Sequence, residues 1–129
     1  MNVKIDTKEK FSVITAFEKE LAANMTEELS QLLESYLKKE IPHVILNMSE
    51  VETLAVETAE LIASTQQKFY ENNASFVICL LKEGPEKMLD ELELLEFMNV
   101  TPTESEAWDI VQMEEIEREL LNDFDEESS

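Results

Sequence analysis

Glycine and cysteine are almost absent from this chain of 129 residues, which contains one of each. With Gly84 as the sole glycine, there is little room for loops that need positive φ, and no glycine-rich loop is available to hold a phosphate. A single cysteine, Cys79, excludes an internal disulfide bond. Because Cys79 lies in the apolar run 75–81, we expect it to be an inert core residue.

Histidine is equally scarce, and this scarcity bears on catalysis and metal binding. His43 is the only histidine, and it follows Pro42 at the start of a predicted strand. One histidine and one cysteine cannot furnish a typical zinc site, and a Ser-His-Asp triad is not credible at a strand edge. Acidic residues are so abundant that a pair of carboxylates does not indicate a hydrolytic active site. We therefore predict a protein that is not an enzyme and has no metal or cofactor, with His43 as a packed or surface residue.

Long apolar runs and positive charges are also lacking. No run approaches the roughly 20 apolar residues that span a membrane, and the first residues lack the apolar core of a signal peptide, so we predict a cytoplasmic protein. The net charge is −20. Residues 1–82 hold 8 Lys/Arg and 13 Asp/Glu, a net of −5, whereas residues 83–129 hold 2 and 17, a net of −15. Such a field repels nucleic acid and anionic membranes and speeds association with a basic protein surface, although solvated helix faces explain it equally simply.

What the chain does contain is an alternation of strand and helix patterns. β-Branched and aromatic residues in Val3–Ile5 and Phe11–Phe17 predict a hairpin. An amphipathic helix follows and ends before Pro42. The apolar runs 44–46 and 76–81 predict strands buried on both faces. With the C-terminal segments, the order is β-β-α-β-α-β-α-β-α, which predicts an α/β sandwich: a mixed, mostly parallel sheet of four or five strands with helices packed on it.

The C-terminal third predicts two helices separated by an edge strand. Gly84-Pro85 suits the first turn of a helix, and Val100–Pro102 is a short extended piece. Thr103-Glu-Ser-Glu106 is a capping box that opens a last helix. Apolar residues continue along that helix at Ala107, Ile110, Met113, Ile116, Leu120 and Phe124. We predict a single domain over residues 1–124 and an acidic tail over residues 125–129.

The centre of the chain combines a strand, a loop and a helix. Val44–Leu46 is the strand, and the polar segment 47–52 is the loop. A helical pattern then begins at Leu54 and continues at Thr58, Leu61, Ile62, Thr65 and Phe69. In open α/β sheets, loops at the carboxyl ends of strands commonly carry function, so this loop is where we expect the functional site.

These residues resemble the STAS domain family, named for sulphate transporters and anti-sigma factor antagonists. The family reads three hydrophobic residues, Asp-Leu-Ser-Gly-Val, and then Asp-Ser-Ser-Gly at the start of a helix. Here Val44-Ile-Leu-Asn-Met-Ser-Glu-Val51 is similar to the first part, and Thr103-Glu-Ser-Glu-Ala107 resembles the family's Thr-x-x-Glu-Ala at its last helix. The resemblance covers roughly residues 3–120 and implies the STAS fold.

The departures from the family pattern concern its phosphorylation site. In the family, a partner kinase phosphorylates the second Ser of Asp-Ser-Ser-Gly, and counting from Asn47 places Glu57 at that position. A register shifted by one would offer Thr58 as acceptor but would place Glu60 where a buried aliphatic belongs, so we reject it. The other positions of the motif are also substituted, by Ala55, Val56 and Thr58. Glu57 is then either a carboxylate suited to a helix N-terminus or a permanent charge that imitates phosphoserine.

The resemblance implies a protein-binding regulator similar to anti-sigma factor antagonists of bacterial type. Its partner would be an anti-sigma factor or a switch-protein kinase, and the missing phosphoacceptor predicts a module that does not switch. The candidate partner surface comprises Ala55, Val56, Glu57, Thr58 and Glu60. Two alternatives stay open: a structural STAS-like subunit of a signalling assembly, and a small-ligand sensor. The oligomeric state is not predicted.

Overall fold

The structure, a computed structural model, describes residues 1–128 of the chain, with side chains described through residue 122. In chain order the elements are β1 (Val3–Thr7), β2 (Ser12–Ala16), β3 (Glu20–Leu21), α1 (Thr26–Ser35), β4 (Val44–Asn47), β5 (Thr53–Leu54), α2 (Val56–Glu71), β6 (Phe76–Cys79), α3 (Glu83–Glu91), β7 (Val100–Thr101) and α4 (Glu104–Ser128). None of the helices within residues 1–128 is long and apolar enough to cross a membrane.

Five strands form the main sheet, in the order β1-β2-β4-β6-β7. β1 and β2 are the antiparallel hairpin that the sequence predicts, with Val3 opposite Ala16 and Thr7 opposite Ser12. The remaining pairings, β2 with β4, β4 with β6, and β6 with β7, are parallel. The predicted α/β class with a mixed, mostly parallel sheet is therefore confirmed. β4 lies at the centre, and its apolar residues are fully buried because helices cover both faces of the sheet.

The two faces of the sheet carry cores of different size, because successive residues of a strand point to opposite sides. Leu46 of β4 packs into a large core with buried residues of α1, α2 and α3. The adjacent Ile45 packs into a smaller core on the opposite face, together with Ala107 and Val111 of α4. Within the described residues, the large core has eighteen buried members and the small core has six. Because few apolar residues attach α4 to the sheet, its attachment depends more on polar contacts.

These contacts lie at the amino ends of β4 and β6, where three polar pairs attach α4 to the domain. The Nε2 atom of His43 lies 2.8 Å from a carboxylate oxygen of Glu115. Arg118 donates to the Ser75 hydroxyl at 2.9 Å, and the Tyr70 hydroxyl donates to Glu114 at 2.7 Å. The lone histidine is thus a packed residue, only 5% exposed, and it joins α4 to the sheet.

The apolar residues of α4 divide between two environments. Ala107 and Val111 are buried against the sheet, whereas Met113, Ile116 and Leu120 are exposed. Their spacing predicts the helix correctly, but it does not reveal that they point away from the domain. The backbone of α4 continues through Ser128, past the boundary at residue 124 that the sequence suggests. The boundary and the acidic tail stay predictions, and Ser129 lies outside the described residues.

A second, two-stranded sheet overturns one prediction from the periodicity. β3 pairs with β5 in parallel, with Leu21 opposite Leu54. Leu54, expected as the first residue of a helix, is therefore a strand residue, and α2 begins at Val56. The partner of β5 lies more than thirty residues earlier in the chain, so a local apolar pattern cannot indicate this pairing.

Candidate functional site at the carboxyl edge of the sheet

The loop after β4 is fixed to the sheet by its own backbone and by two buried side chains. The Asn47 side chain accepts a hydrogen bond from the amide of Ser49 at 2.9 Å. The amide of Met48 donates to the carbonyl of Cys79 on β6 at 3.0 Å. Met48 and Val51 are both fully buried. Because its apolar residues reach into the large core, this loop has a defined position rather than a range of conformations.

A second set of hydrogen bonds connects the same loop to the segment after β2. The carbonyl of Lys19 accepts from the amides of Glu52 and Thr53 at 2.7 and 3.0 Å. The carbonyl of Leu21 accepts from the amide of Ala55 at 3.0 Å. Ala55 is the N-cap of α2, so the pairing of β3 with β5 determines where this helix begins.

The only glycine of the chain allows α3 to approach this loop. Gly84 lies in the first turn of α3, and a Cβ atom added there would collide with the carbonyl oxygen of Glu52. Lys82, the N-cap of α3, also places its ammonium 3.9 Å from a Glu52 carboxylate oxygen. Glycine at position 84 is therefore required for close packing, in addition to the turn that the sequence suggests.

Four of the five residues predicted as the partner surface are brought together at the start of α2. Val56 is 40% exposed, Glu57 and Glu60 are exposed, and Ala55 is half-buried. We call Ala55, Val56, Glu57 and Glu60 the carboxyl-edge surface. Glu57 lies in the first turn of α2. The helix dipole stabilises a carboxylate there by about 0.3–1 kcal/mol, and the methyl group of Ala55 cannot cap the free amides.

Thr58 lies beneath this surface rather than on it. Its side chain is fully buried, and its hydroxyl lies 3.2 Å from the carbonyl of Ala22 and 3.3 Å from the hydroxyl of Thr26. One residue along a helix is a rotation of about 100°, which turns position 58 inward when position 57 faces solvent. Thr58 therefore leaves the list of surface candidates, and its hydroxyl is not accessible to a kinase in this structure.

Two exposed side chains near this edge were not predicted from the sequence as part of the partner surface. Phe17 directly follows β2, which runs parallel to β4, and it is 46% exposed. Glu52 is exposed beside Lys82. An aromatic residue directly after a strand is the signal that could have indicated Phe17, but the strand end could not be placed to within one residue from the pattern.

A large concave region lies along α2, from Glu60 of the carboxyl-edge surface to Glu71. It is a groove of about 850 Å³ between α2 and residues 94–98, and Phe97, 72% exposed, stands at its side. The amide group of Gln66 in this groove already bonds to the backbone of Phe97 and Asn99, both at 2.8 Å. Burial, and then the Glu114 carboxylate, raise the pKa of Tyr70, which also lines the groove. The polar groups of Gln66 and Tyr70 thus serve the fold itself.

Comparisons with known proteins agree with the fold. A crystal structure of an anti-sigma factor antagonist from Mycobacterium paratuberculosis is similar over 86% of this chain and 93% of its own, with a TM-score of 0.75 and 17% identity. Moorella thermoacetica RsbS, in a form with glutamate substituted for a serine, covers 87% of this chain and 96% of its own, with a TM-score of 0.72 and 16% identity.

A structure described as the molecular architecture of the stressosome, a signal integration and transduction hub, contains a chain with a TM-score of 0.69 and 14% identity. That similarity covers 84% of this chain and 96% of the other. At these identities, the likeness establishes the fold alone. No curated protein sequence matches the chain significantly.

The sequence itself supplies the family. The STAS domain family profile matches residues 2–107, which is most of the chain and includes the strand, loop and helix of the carboxyl-edge surface. This confirms the resemblance drawn from Val44–Val51 and Thr103–Ala107. The chain is a member of the STAS domain family.

Proposed function

We propose that this protein is a protein-binding regulator of the anti-sigma factor antagonist type, and that it binds its partner through the carboxyl-edge surface. The partner would be an anti-sigma factor or a switch-protein kinase, in the cytoplasm. Family membership and the structural likeness to an anti-sigma factor antagonist support this proposal. The surface is built for contact, because Val56 offers an apolar side chain beside two carboxylates on a helix whose position is fixed by the β3–β5 pairing.

The observation that carries the proposal is the contrast between Glu57 and Thr58. Glu57 is exposed in the first turn of α2, whereas the neighbouring hydroxyl of Thr58 is fully buried and hydrogen bonded. This contrast supports the assignment of Glu57 to the family's phosphoacceptor position, since the adjacent hydroxyl of Thr58 is not accessible. A carboxylate has about one negative charge against nearly two for phosphoserine, so Glu57 imitates the phosphorylated state incompletely. We infer a regulator that is held in one partner-binding state.

The experiment is affinity capture of the tagged protein from a lysate of its own organism, followed by mass spectrometry and binding measurements on the recovered partner. We expect an anti-sigma factor or a kinase-type ATPase. Glu57→Ser should change the affinity for that partner at least tenfold, because it removes the charge from the contact. Glu40→Ser, at an exposed glutamate shortly before β4 and therefore at the opposite end of the sheet, is the matched control and should leave the affinity unchanged. Unchanged binding by Glu57→Ser would disprove the role of Glu57.

A structural role in a signalling assembly is the second candidate. It is supported by the likeness to a chain of the stressosome architecture and by the substitution of every Asp-Ser-Ser-Gly residue. Under this alternative, capture would recover a large complex containing neither a kinase nor an anti-sigma factor, and Glu57→Ser would bind normally. Ligand sensing is a weaker alternative that the groove beside α2 allows. A thermal-shift screen of nucleotides and lipids tests it, since a ligand of the folded state raises the unfolding temperature.

A further inference from the structure

The distal part of α4 presents a row of large apolar side chains to solvent. Met113, Ile116, Leu120 and Leu121 are 57%, 56%, 64% and 65% exposed. We call these four residues the α4 stripe. Residues at positions i, i+3 and i+7 of a helix share one side, and for Met113, Ile116 and Leu120 that side is nearly opposite the buried Ala107 and Val111. Leu121 is exposed at the border of this side. Apolar side chains in a contiguous exposed row are typical of an interaction surface.

The α4 stripe lies outside the part of the chain that the family profile matches. That match ends at residue 107, whereas α4 continues to Ser128. A helix of 25 residues is about 37 Å long, so α4 extends well past a sheet whose central strand has four residues. The stripe therefore cannot be explained as a packing surface that the shared domain requires.

The charges around the stripe restrict what can cover it. Residues 104–129 contain 11 Asp/Glu and one Lys/Arg, a net of −10. That single cation, Arg118, is engaged by the Ser75 hydroxyl at 2.9 Å and lies 3.7 Å from Glu115. Glu117 and Glu119 are exposed next to the stripe. A second copy of α4 would bring like charges together, and anionic membranes and nucleic acid are repelled for the same reason.

A small groove at one side of the stripe can receive an apolar side chain. It has a volume of about 240 Å³ and is lined by residues that include Trp108, Val111 and Ile116. Trp108 stacks on Phe11 with ring centroids 4.5 Å apart, so one wall of the groove is rigid. The other lining residues are Lys10, Gln112, Glu115 and Glu119, so two carboxylates and one ammonium group surround the rim. The excess of carboxylates favours a cation of the partner there.

From these observations we propose that the α4 stripe binds a basic amphipathic helix of a protein partner. Apolar residues of that helix would lie along Met113, Ile116 and Leu120, with one side chain in the Trp108 groove and Lys or Arg residues opposite the flanking glutamates. This is helix-in-groove recognition combined with electrostatic complementarity. The stripe lies on the part of α4 that reaches the amino ends of the strands and continues past them, whereas the carboxyl-edge surface lies at their opposite ends. The two surfaces can therefore be occupied at the same time.

The test is a fluorescence titration of the full chain, which has a single tryptophan beside the stripe. The probe is a synthetic helical peptide with Leu at spacing i, i+3, i+7 and Lys on both sides. A scrambled peptide of the same composition has the same charge but no apolar row. We expect saturable one-to-one binding of the first peptide, at least tenfold weaker binding of the scrambled one, and weakening of both by salt.

Variants separate the stripe from the rest of the acidic surface. The double variant Ile116→Ser/Leu120→Ser should weaken the helical peptide at least tenfold, while circular dichroism confirms that it folds. Phe97→Ser removes an equally exposed apolar side chain elsewhere and should bind as the unaltered protein does. The proposal would be overturned if both peptides bound equally well, or if the double variant bound the helical peptide as tightly as the unaltered protein does. It would also be overturned if the fluorescence change did not saturate at millimolar peptide. A dimer that the double variant dissociates in sedimentation would overturn it too, because it would assign the stripe to a second copy.

Discussion

The two faces of the sheet are covered in different ways. On one face, α1, α2 and α3 enclose the large core, and the loop after β4 adds Met48 and Val51 to it. On the other face, within the described residues, α4 packs through Ala107 and Val111 and is further held by polar pairs at the amino ends of the strands. The first face thus supports a precisely positioned surface at the start of α2. The second attaches a helix that continues past the sheet and exposes the apolar side chains of the α4 stripe.

The largest expected effect is a difference in stability between two variants, each of which shortens one core residue of β4. Leu46 belongs to the large core and Ile45 to the small core. Leu46→Ala should lower the free energy of unfolding by about 3–5 kcal/mol, because three helices and a sheet cannot collapse around the cavity. Ile45→Ala should cost about 2–3 kcal/mol, because α4 can shift inward as a single helix. Both side chains are fully buried, so a difference in exposure cannot explain a difference in stability between the two variants. Urea unfolding of the two variants measures it, and an equal or greater loss for Ile45→Ala would contradict it.

The next effect concerns the polar attachment of α4. The amide of Ser75 donates to Nδ1 of His43 at 3.0 Å, so Nε2 carries the proton and donates to Glu115. His43→Ala leaves that buried amide without its acceptor and should cost about 1–3 kcal/mol. Amide hydrogen exchange should quicken throughout α4.

Glu115→Gln is the matched control for the histidine. A glutamine oxygen can still accept from Nε2–H, so most of the stability should remain. If His43→Ala left exchange in α4 unchanged, the histidine would not be an attachment point for this helix.

A smaller effect appears at alkaline pH on the same face. Burial, and then the Glu104 carboxylate, raise the pKa of the Cys79 thiol from 9.0 to about 12. The folded state then binds a proton that the unfolded state has lost, so stability is complete below pH 9 and falls as the pH rises toward 12. The slope is at most about 1.4 kcal/mol per pH unit. Cys79→Ala should flatten this decline in chemical unfolding, and identical slopes would show that the thiol does not contribute.

The smallest effect is expected where α4 leaves the domain. Leu120→Ser should change the free energy of unfolding by no more than about 0.5 kcal/mol, since surface substitutions remote from packing contacts are nearly neutral. The matched comparison is Leu33→Ser, at a fully buried leucine of α1, which should be severely destabilising. Thermal unfolding measures both. A large loss for Leu120→Ser would mean that the α4 stripe is covered within the protein itself, and it would also weaken the case for an external helix.

The sequence by itself determined the class of fold, the family and the position of the central strand. It could do so because hydrophobic periodicity, the prolines and the apolar runs are local signals, and because the Val44–Val51 and Thr103–Ala107 patterns identify the STAS family. The assignment of Glu57 to the family's phosphoacceptor position stays a prediction, which rests on counting along the chain from Asn47.

The tertiary structure decided what depends on segments far apart in the chain. Pairing of β3 with β5 moved Leu54 out of the helix, and contact with Ala22 and Thr26 buried Thr58 beneath the surface to which it had been assigned. The role of His43 depends on Glu115, seventy-two residues later. An apolar residue on a helix has the same local pattern whether it faces a sheet or solvent. Only the packing of Ala107 and Val111 on the sheet decides that the opposite side of α4, with Ile116 and Leu120, faces solvent.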